Sequence, residues 1–250
     1  NKSGIKKTSE KFELKNALCL LAAGVCIALV STSYCISLQN VPAYIAVILL
    51  FQFTWIGALI ESIAERKLPN RHTVAAIIIL LTGTVLSAGV IGNEVELNAA
   101  GVFFGFLSAF FYALYIFLIG KSDENINPLN RSFIIISCAL LVLIIIFSPS
   151  YFTSGVILEG LWVYGLLLGS IGCALPIFLF SIGTVRISAT AGTILSSSEH
   201  PASIICAVII SSEPISALQW IGIVMILYGI LHPYLAKSIK SKKPILHNSE

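Results

Sequence analysis

The spacing of charge constrains this chain more than any other feature. Between Lys15 and Glu61 lie 45 residues with no Asp, Glu, Lys or Arg. Further charge-free runs follow at 72–93, 97–120, 132–158, 160–185 and 214–236, each of 22 to 27 residues. A helix needs about 20 apolar residues to cross a bilayer. Each later run supplies one such segment. The first is long enough for two, with Gln39-Asn40-Val41-Pro42 as a turn between them. The stretch 187–212, interrupted only by Glu199, supplies another. Continuous apolar runs argue against a barrel of alternating strands of about ten residues. The sequence is 57% hydrophobic and 11% charged, where a soluble domain carries about 25% charged residues.

The expected fold is therefore an all-α membrane protein, a multi-pass bundle of eight helices. They are placed at about 17–38, 43–63, 73–92, 99–120, 132–150, 160–183, 189–211 and 217–236. Alternating these helices puts all 15 Lys and Arg residues on one side: the N-terminal segment, 66–71, 121–131, Arg186 and the tail from Lys237. The opposite loops carry Glu94, Glu96, Glu159 and Glu213 and no cation. Cationic loops stay cytoplasmic, so both termini are expected in the cytoplasm of a cell (plasma) membrane protein. Residues 1–15 are polar and Lys-rich with no apolar core, unlike a signal peptide. Six cysteines lie inside apolar runs without metal-ligand spacing, so no metal site is expected. No P-loop, Rossmann glycine pattern or hydrolase triad is present. Short loops leave no room for a soluble catalytic domain, so no enzyme activity and no cofactor are expected.

A shift of 146 positions overlays Val41 on Ile187, Ala43 on Ala189, Ile48 on Ile194, Leu49 on Leu195 and Gly83 on Gly229. Helix two runs inward by the charge assignment and its counterpart, helix seven, runs outward. The repeats are inverted, an architecture of many secondary transporters, with sites near the midplane.

Three stretches carry a family resemblance. They are AAGVFFGFLSAFFYALYIFLIGK at 99–121, the run 187–230 with its mid-helix Glu and Pro and closing QWIGIVMILYGI, and residues 41–87 ending ERKLPNRHTVAAIIILLTGTVLS. The chain resembles the drug/metabolite transporter superfamily in its ten-helix EamA-type branch. That resemblance implies five plus five helices. On this pattern 1–98 is the remainder of a first repeat, 99–236 a second repeat and 237–250 a basic cytoplasmic tail, with two helices expected before Asn1. Here His200 separates Glu199 from Pro201, and Trp55 falls where the first repeat would carry the proline.

Helix seven holds the chemistry. An ionisable residue at mid-membrane costs about 2.5–3.5 kcal/mol or more and defaults to a functional hypothesis. Ser196, Glu199 and His200 are spaced as i, i+3 and i+4 and are expected to share a face. Pro201 has no amide hydrogen and invites a kink. In helix two, Gln52 aligns with Ser198, and Gln52 and Trp55 share a face. Tyr34, Tyr112 and Tyr115 are further candidates for lining a cavity. Gly101/Gly105 and Gly165/Gly169 form two patterns that permit close helix approach. The function expected is secondary active transport of small metabolites, amino acids or drugs, in the export direction, by alternating access. Expected partners are the small-molecule substrate, the lipid bilayer and protons as coupling ion, with a monomer or homodimer and no nucleic acid. The alternative is a non-transporting receptor or assembly subunit that keeps the transporter fold.

Overall fold

The computed structural model describes residues 2–88, 98–123, 125–147, 162–202, 205 and 216–241, with backbone alone at 2–15 and 234–241. Helix α1 spans Lys2–Asn40, α2 Ala43–Glu65, α3 Arg71–Ser87, α4 Ala99–Lys121 and α5 Pro128–Phe147. Helix α6 spans Trp162–Arg186, α7 opens with Ala189–Ser196 and is helical again at 199–202, and α8 spans Ala217–Ser241. Among the described residues there is no strand. Five helices are long and apolar enough to cross a membrane, and Arg71–Ser87 and Ala217–Pro233 are shorter apolar helices. The protein is an all-α membrane protein.

Local chemistry sets the helix ends. Asn98 caps α4 by accepting from the Ala100 amide at 2.9 Å. Ser188 caps α7 by accepting from Ala191 at 3.2 Å. Ser216 and Gln219 satisfy each other's amides at the start of α8, with N–H···O distances of 2.9 and 3.3 Å, a reciprocal cap. Helix α5 begins four residues earlier than expected. Asn127 accepts from the Leu129 amide at 3.0 Å and Pro128 opens the helix, a combination that favours initiation. Helix α1 also runs further back, to Lys2. Its Lys, Glu and Leu residues propagate a helix whether or not lipid surrounds them. Pro176 does disturb α6: a π-helical stretch at Leu168–Ala174 precedes it, and it sits in the first turn of the α-helix at Leu175–Gly183.

Alternate helix ends gather at opposite ends of the bundle. At one end Lys121 Nζ lies 3.7 Å from Glu65. At the other the Asn98 amide donates to Asn40 Oδ1 at 3.3 Å. The main core forms where α1, α2 and α4 meet, around Leu20, Ala23, Phe53, Ala113, Tyr115 and Ile116. Small residues set these distances. A Cβ on Gly101 would come within 2.7 Å of Val41, and one on Gly105 within 2.6 Å of Leu49. That glycine pair packs inside the bundle, whereas Cβ atoms on Gly165 and Gly169 would meet nothing within 4 Å among the described residues. Helices α3 and α8 pack antiparallel, with Gly222 against Gly83 and Ser87, and Gly229 against Ala76 and Leu80. Helices α2 and α7 pair likewise: Gly57 faces Thr193, and Glu61 faces Thr190.

Candidate functional site

Both helices of the α2/α7 pair tighten in mid-span. In α2 the α-helical pattern is interrupted at Phe51 and Gln52, while Phe51 keeps helical angles of φ −66° and ψ −7°. In α7 the interruption is at Ser197 and Ser198, with φ −63° and ψ −12° at Ser197. The amide of Gln52 donates to Leu49 at 3.2 Å and that of Ser198 to Leu195 at 3.1 Å. Helical bonding then resumes from Ile56 to Gln52 at 3.3 Å and from Ala202 to Ser198 at 3.2 Å. These bonds recur at the same 146-residue spacing that relates the two stretches in sequence. Side chains help to hold the tight turns. Gln52 Nε2 donates to the Ile48 carbonyl at 3.0 Å, and Thr54 Oγ1 to Phe51 at 3.1 Å. Ser196 and Ser197 donate to Gly192 and Thr193 at 2.7 and 3.2 Å. Such side-chain bonds compete with regular helix bonding.

The two turns touch. The rings of Phe51 and His200 lie 4.8 Å apart. A Cβ on Gly57 would sit 2.4 Å from Thr193, so nothing larger than glycine lets the helices cross this closely. His200 is 6% exposed and its Nε2 lies 2.8 Å from Ser87 Oγ in α3. Ser87 also donates to the Thr84 carbonyl at 3.0 Å. The arrangement that satisfies both contacts has Nε2–H donating to Ser87. His200 thus joins α7 to α2 and α3.

Glu199 turns the other way. The expectation that Glu199 shares a face with Ser196 and His200 is corrected for His200: its ring is buried against Phe51 and Ser87, whereas Glu199 is exposed and, like Ser196, neighbours Tyr112. Adjacent residues of a helix point about 100° apart, and the tightened turn at Ser197–Ser198 brings Ser196 and Glu199, three apart, nearer to alignment while His200 faces α2 and α3. Glu199 lies about 15 Å along the axis from Ala189, half the thickness of a bilayer core of about 30 Å. The Tyr112 side chain of α4 neighbours both Ser196 and Glu199. Tyr34 of α1 is partly buried against the cluster of Val41, Ile45, Ala46 and Leu49. Tyr112 packs edge-on to Phe53 with centroids 4.8 Å apart, and stacks on Tyr115 at 6.1 Å with planes 13° apart. Tyr115 is itself core, 1% exposed, with a hydroxyl that has no hydrogen-bond partner among the described residues.

The remaining candidates lie apart from this group. Trp55 Nε1 donates to Gln52 Oε1 at 2.9 Å. Trp55 shares an exposed stripe of α2 with Leu59 and Ile63, away from the buried face of Phe53, Ile56 and Gly57. Ser198 is exposed, as is Leu195 one turn earlier. Trp162 and Trp220 are exposed near helix starts. The expected outer half of α7, with Glu213, lies outside the described residues, as do Glu94, Glu96 and Glu159.

Two hydrogen-bonded charged side chains escaped the sequence reading. Arg131, 1% exposed, donates through its guanidinium to the carbonyls of Ser181, Asp123 and Ile126. Its only sequence signal was a cation just inside an apolar run. Glu61 accepts from the Thr190 amide at 2.5 Å, so a carboxylate of α2 caps the first turn of α7. Beside it a cleft of about 440 Å³ opens at the cation-bearing end, between α2, α3, α7 and α8. Among the described residues no cluster of three or more His, Cys, Asp or Glu could hold a metal ion.

Residues 99–232 match the EamA-like transporter family. The chain belongs to that family. The uncharacterized transporter YxxF of Bacillus subtilis (strain 168) is 25% identical over 230 residues, covering 91% of this chain and 73% of the relative. A crystal structure of a protein 19% identical in sequence superposes with a TM-score of 0.66, over 91% of this chain and 88% of that one. At that identity the superposition shows the fold alone. As an EamA-like transporter the chain is a multi-pass membrane protein.

Proposed function

We propose that this EamA-like transporter is a secondary active exporter of small organic solutes, metabolites, amino acids or drugs, working by alternating access. The observation that carries this reading is the pair of tightened turns, one in each of two antiparallel helices, meeting at one depth. Interrupted helices at the midplane are where secondary transporters place substrate and coupling ions. Glu199, Ser196 and Tyr112 form the core of the site, with Tyr34 at its edge and Gln52 on the counterpart turn. The cation-bearing ends face the cytoplasm of the plasma membrane, including both termini. Residues 1–98 and 99–236 act as the two repeats that rock against each other. Glu61 on the α7 terminus and Glu65 on Lys121 tie the cytoplasmic ends, and these ties part when that side opens. Protons serve as the coupling ion through Glu199. The protein works without enzymatic chemistry.

A non-transporting subunit would be expected to seal residue 199 with side chains, and the exposure of Glu199 weighs against it. The test is flux in proteoliposomes under an imposed pH gradient. Wild-type protein is expected to move solute in response to the gradient, and Glu199→Gln to lose that response. Gradient-driven flux that is unchanged in Glu199→Gln would remove Glu199 from the mechanism.

A further inference from the structure

We infer that His72 of α3 and His232 of α8 form a two-imidazole site for a divalent transition-metal ion of the zinc class, at the cation-bearing end of the bundle. The site lies apart from the α2/α7 crossing and is independent of which solute the protein moves.

Geometry comes first. The two rings belong to different helices, far apart in sequence, yet their centroids are 5.7 Å apart with planes tilted by 50°. An imidazole nitrogen binds zinc at about 2.0–2.1 Å, which sets each ring centre about 3.2 Å from the ion. Two imidazoles on one ion then have centres about 4.5 Å apart at a right angle, about 5.2 Å at a tetrahedral angle and about 6.4 Å in line. The observed separation falls inside that span, so one ion fits between the rings with both helices where they are.

The frame that holds the rings is rigid. Helices α3 and α8 approach closely beside them: a Cβ on Gly229 would lie 3.3 Å from the Ala76 carbonyl and 2.9 Å from Leu80. Ala76 is one turn after His72 and Gly229 one turn before His232, so the two histidines stand on the next turn out from that contact. Ligands carried on rigid helices keep the spacing that a metal site needs. Tyr228, one turn before His232, lies against its ring with centroids 5.6 Å apart and limits where that ring can turn.

The nitrogens are also available. Both histidines are half-buried, and among the described residues neither ring has a hydrogen-bond partner. His200, by contrast, has Ser87 at 2.8 Å from its Nε2. Neutral imidazole suits zinc, copper and nickel, whereas magnesium and calcium take oxygen ligands. Among the described residues no group of three or more His, Cys, Asp or Glu could hold a metal ion, so the ion keeps positions for water. An ion held by both rings ties the ends of α3 and α8 together, and by binding only the native arrangement it stabilises the fold.

The test is calorimetric titration of the full chain with zinc, purified without a histidine tag and held in lipid nanodiscs, with empty discs as the blank. Every variant is first checked for wild-type thermal unfolding without zinc. Wild type is expected to bind one zinc ion per chain and to unfold at a higher temperature when zinc is present. His72→Gln and His232→Gln should each weaken binding at least tenfold, and the double variant should add little, because one lost ligand already opens the clip. His72→Cys keeps a zinc ligand and should restore most of the affinity. His247→Ala, in the tail, should match wild type. No zinc binding by wild type overturns the inference. So does binding that survives in either glutamine variant, or losses that add fully in the double variant, which would mean adventitious zinc on scattered side chains only. Loss in His72→Cys as complete as in His72→Gln also overturns it, since ligation would then not be what the histidine supplies.

Discussion

The tight turns at Phe51–Gln52 and Ser197–Ser198 share a backbone and differ in chemistry. Both keep right-handed helical angles, both shift one bond to i−3, and both recover at the same relative residue. Yet α2 places an amide and an indole there, hydrogen-bonded to each other at 2.9 Å, whereas α7 places Glu199, His200 and Pro201. The difference teaches that the turn is not made by the proline. Trp55 stands where Pro201 does, and α2 tightens regardless. What the repeat shares is a joint; what it does not share is charge.

Breaking the charge asymmetry carries the largest expected effect. Glu199→Gln should lower solute flux by tenfold or more, equivalent to about 1.4 kcal/mol or above, while Gln52→Ala should lower it by less than about threefold. Equal losses would make the two turns functionally interchangeable. Gly57→Val tests the joint itself. Its side chain meets Thr193, and overpacking of this kind costs about 1–3 kcal/mol, read as loss of stability in detergent unfolding. Gly165→Val, which meets nothing, is the control and should leave stability unchanged. His200→Ala leaves Ser87 and Phe51 without their neighbour and should cost about 1–2 kcal/mol. A double-mutant cycle with Ser87→Ala should return a coupling of about 0.6 kcal/mol, the usual size for hydrogen bonds between membrane helices. A coupling of zero would assign the effect of His200 to packing on Phe51. Pro201→Ala has the smallest effect, below about 0.5 kcal/mol, because Ser196 and Ser197 already hold the turn. A larger loss would show that the two joints are built differently after all.

Much of the fold was legible because lipid imposes a coarse rule: charge-free runs of span length become helices. That rule found α2 to α6, α8 and the first half of α7, within about five residues at their described ends. It missed the N-terminal extension of α1, since a Lys-rich stretch can be helical without being in the membrane, and it was silent on the π-helical stretch of α6. The site was legible in part. Glu199 was conspicuous by composition alone. That His200, and not Glu199, faces α2 and α3 was not, because spacing within one helix does not say which side its neighbours cover. The turn in α2 had no local signal such as proline; only its place in the repeat pointed to it. Arg131 looked like a loop cation, and its burial depends on carbonyls contributed by α6 and the preceding loop, which no pattern within α5 encodes.

The α3/α8 seam has a mechanical consequence. A Cβ on Gly222 would lie 2.4 Å from the Ser87 amide and 2.6 Å from the Gly83 carbonyl, so main chain rests on main chain there. A seam lined by long side chains can creep, because rotamers readjust one at a time. A seam of bare backbone offers no such intermediate steps. At the Gly222 end it holds its registry or lets go, while the Leu80 and Ile226 side chains fill the rest of the seam. Helices α3 and α8 therefore behave as a single beam, and His200, fixed to Ser87 at one end of it, is the pin by which any tilt of that beam reaches the joint in α7.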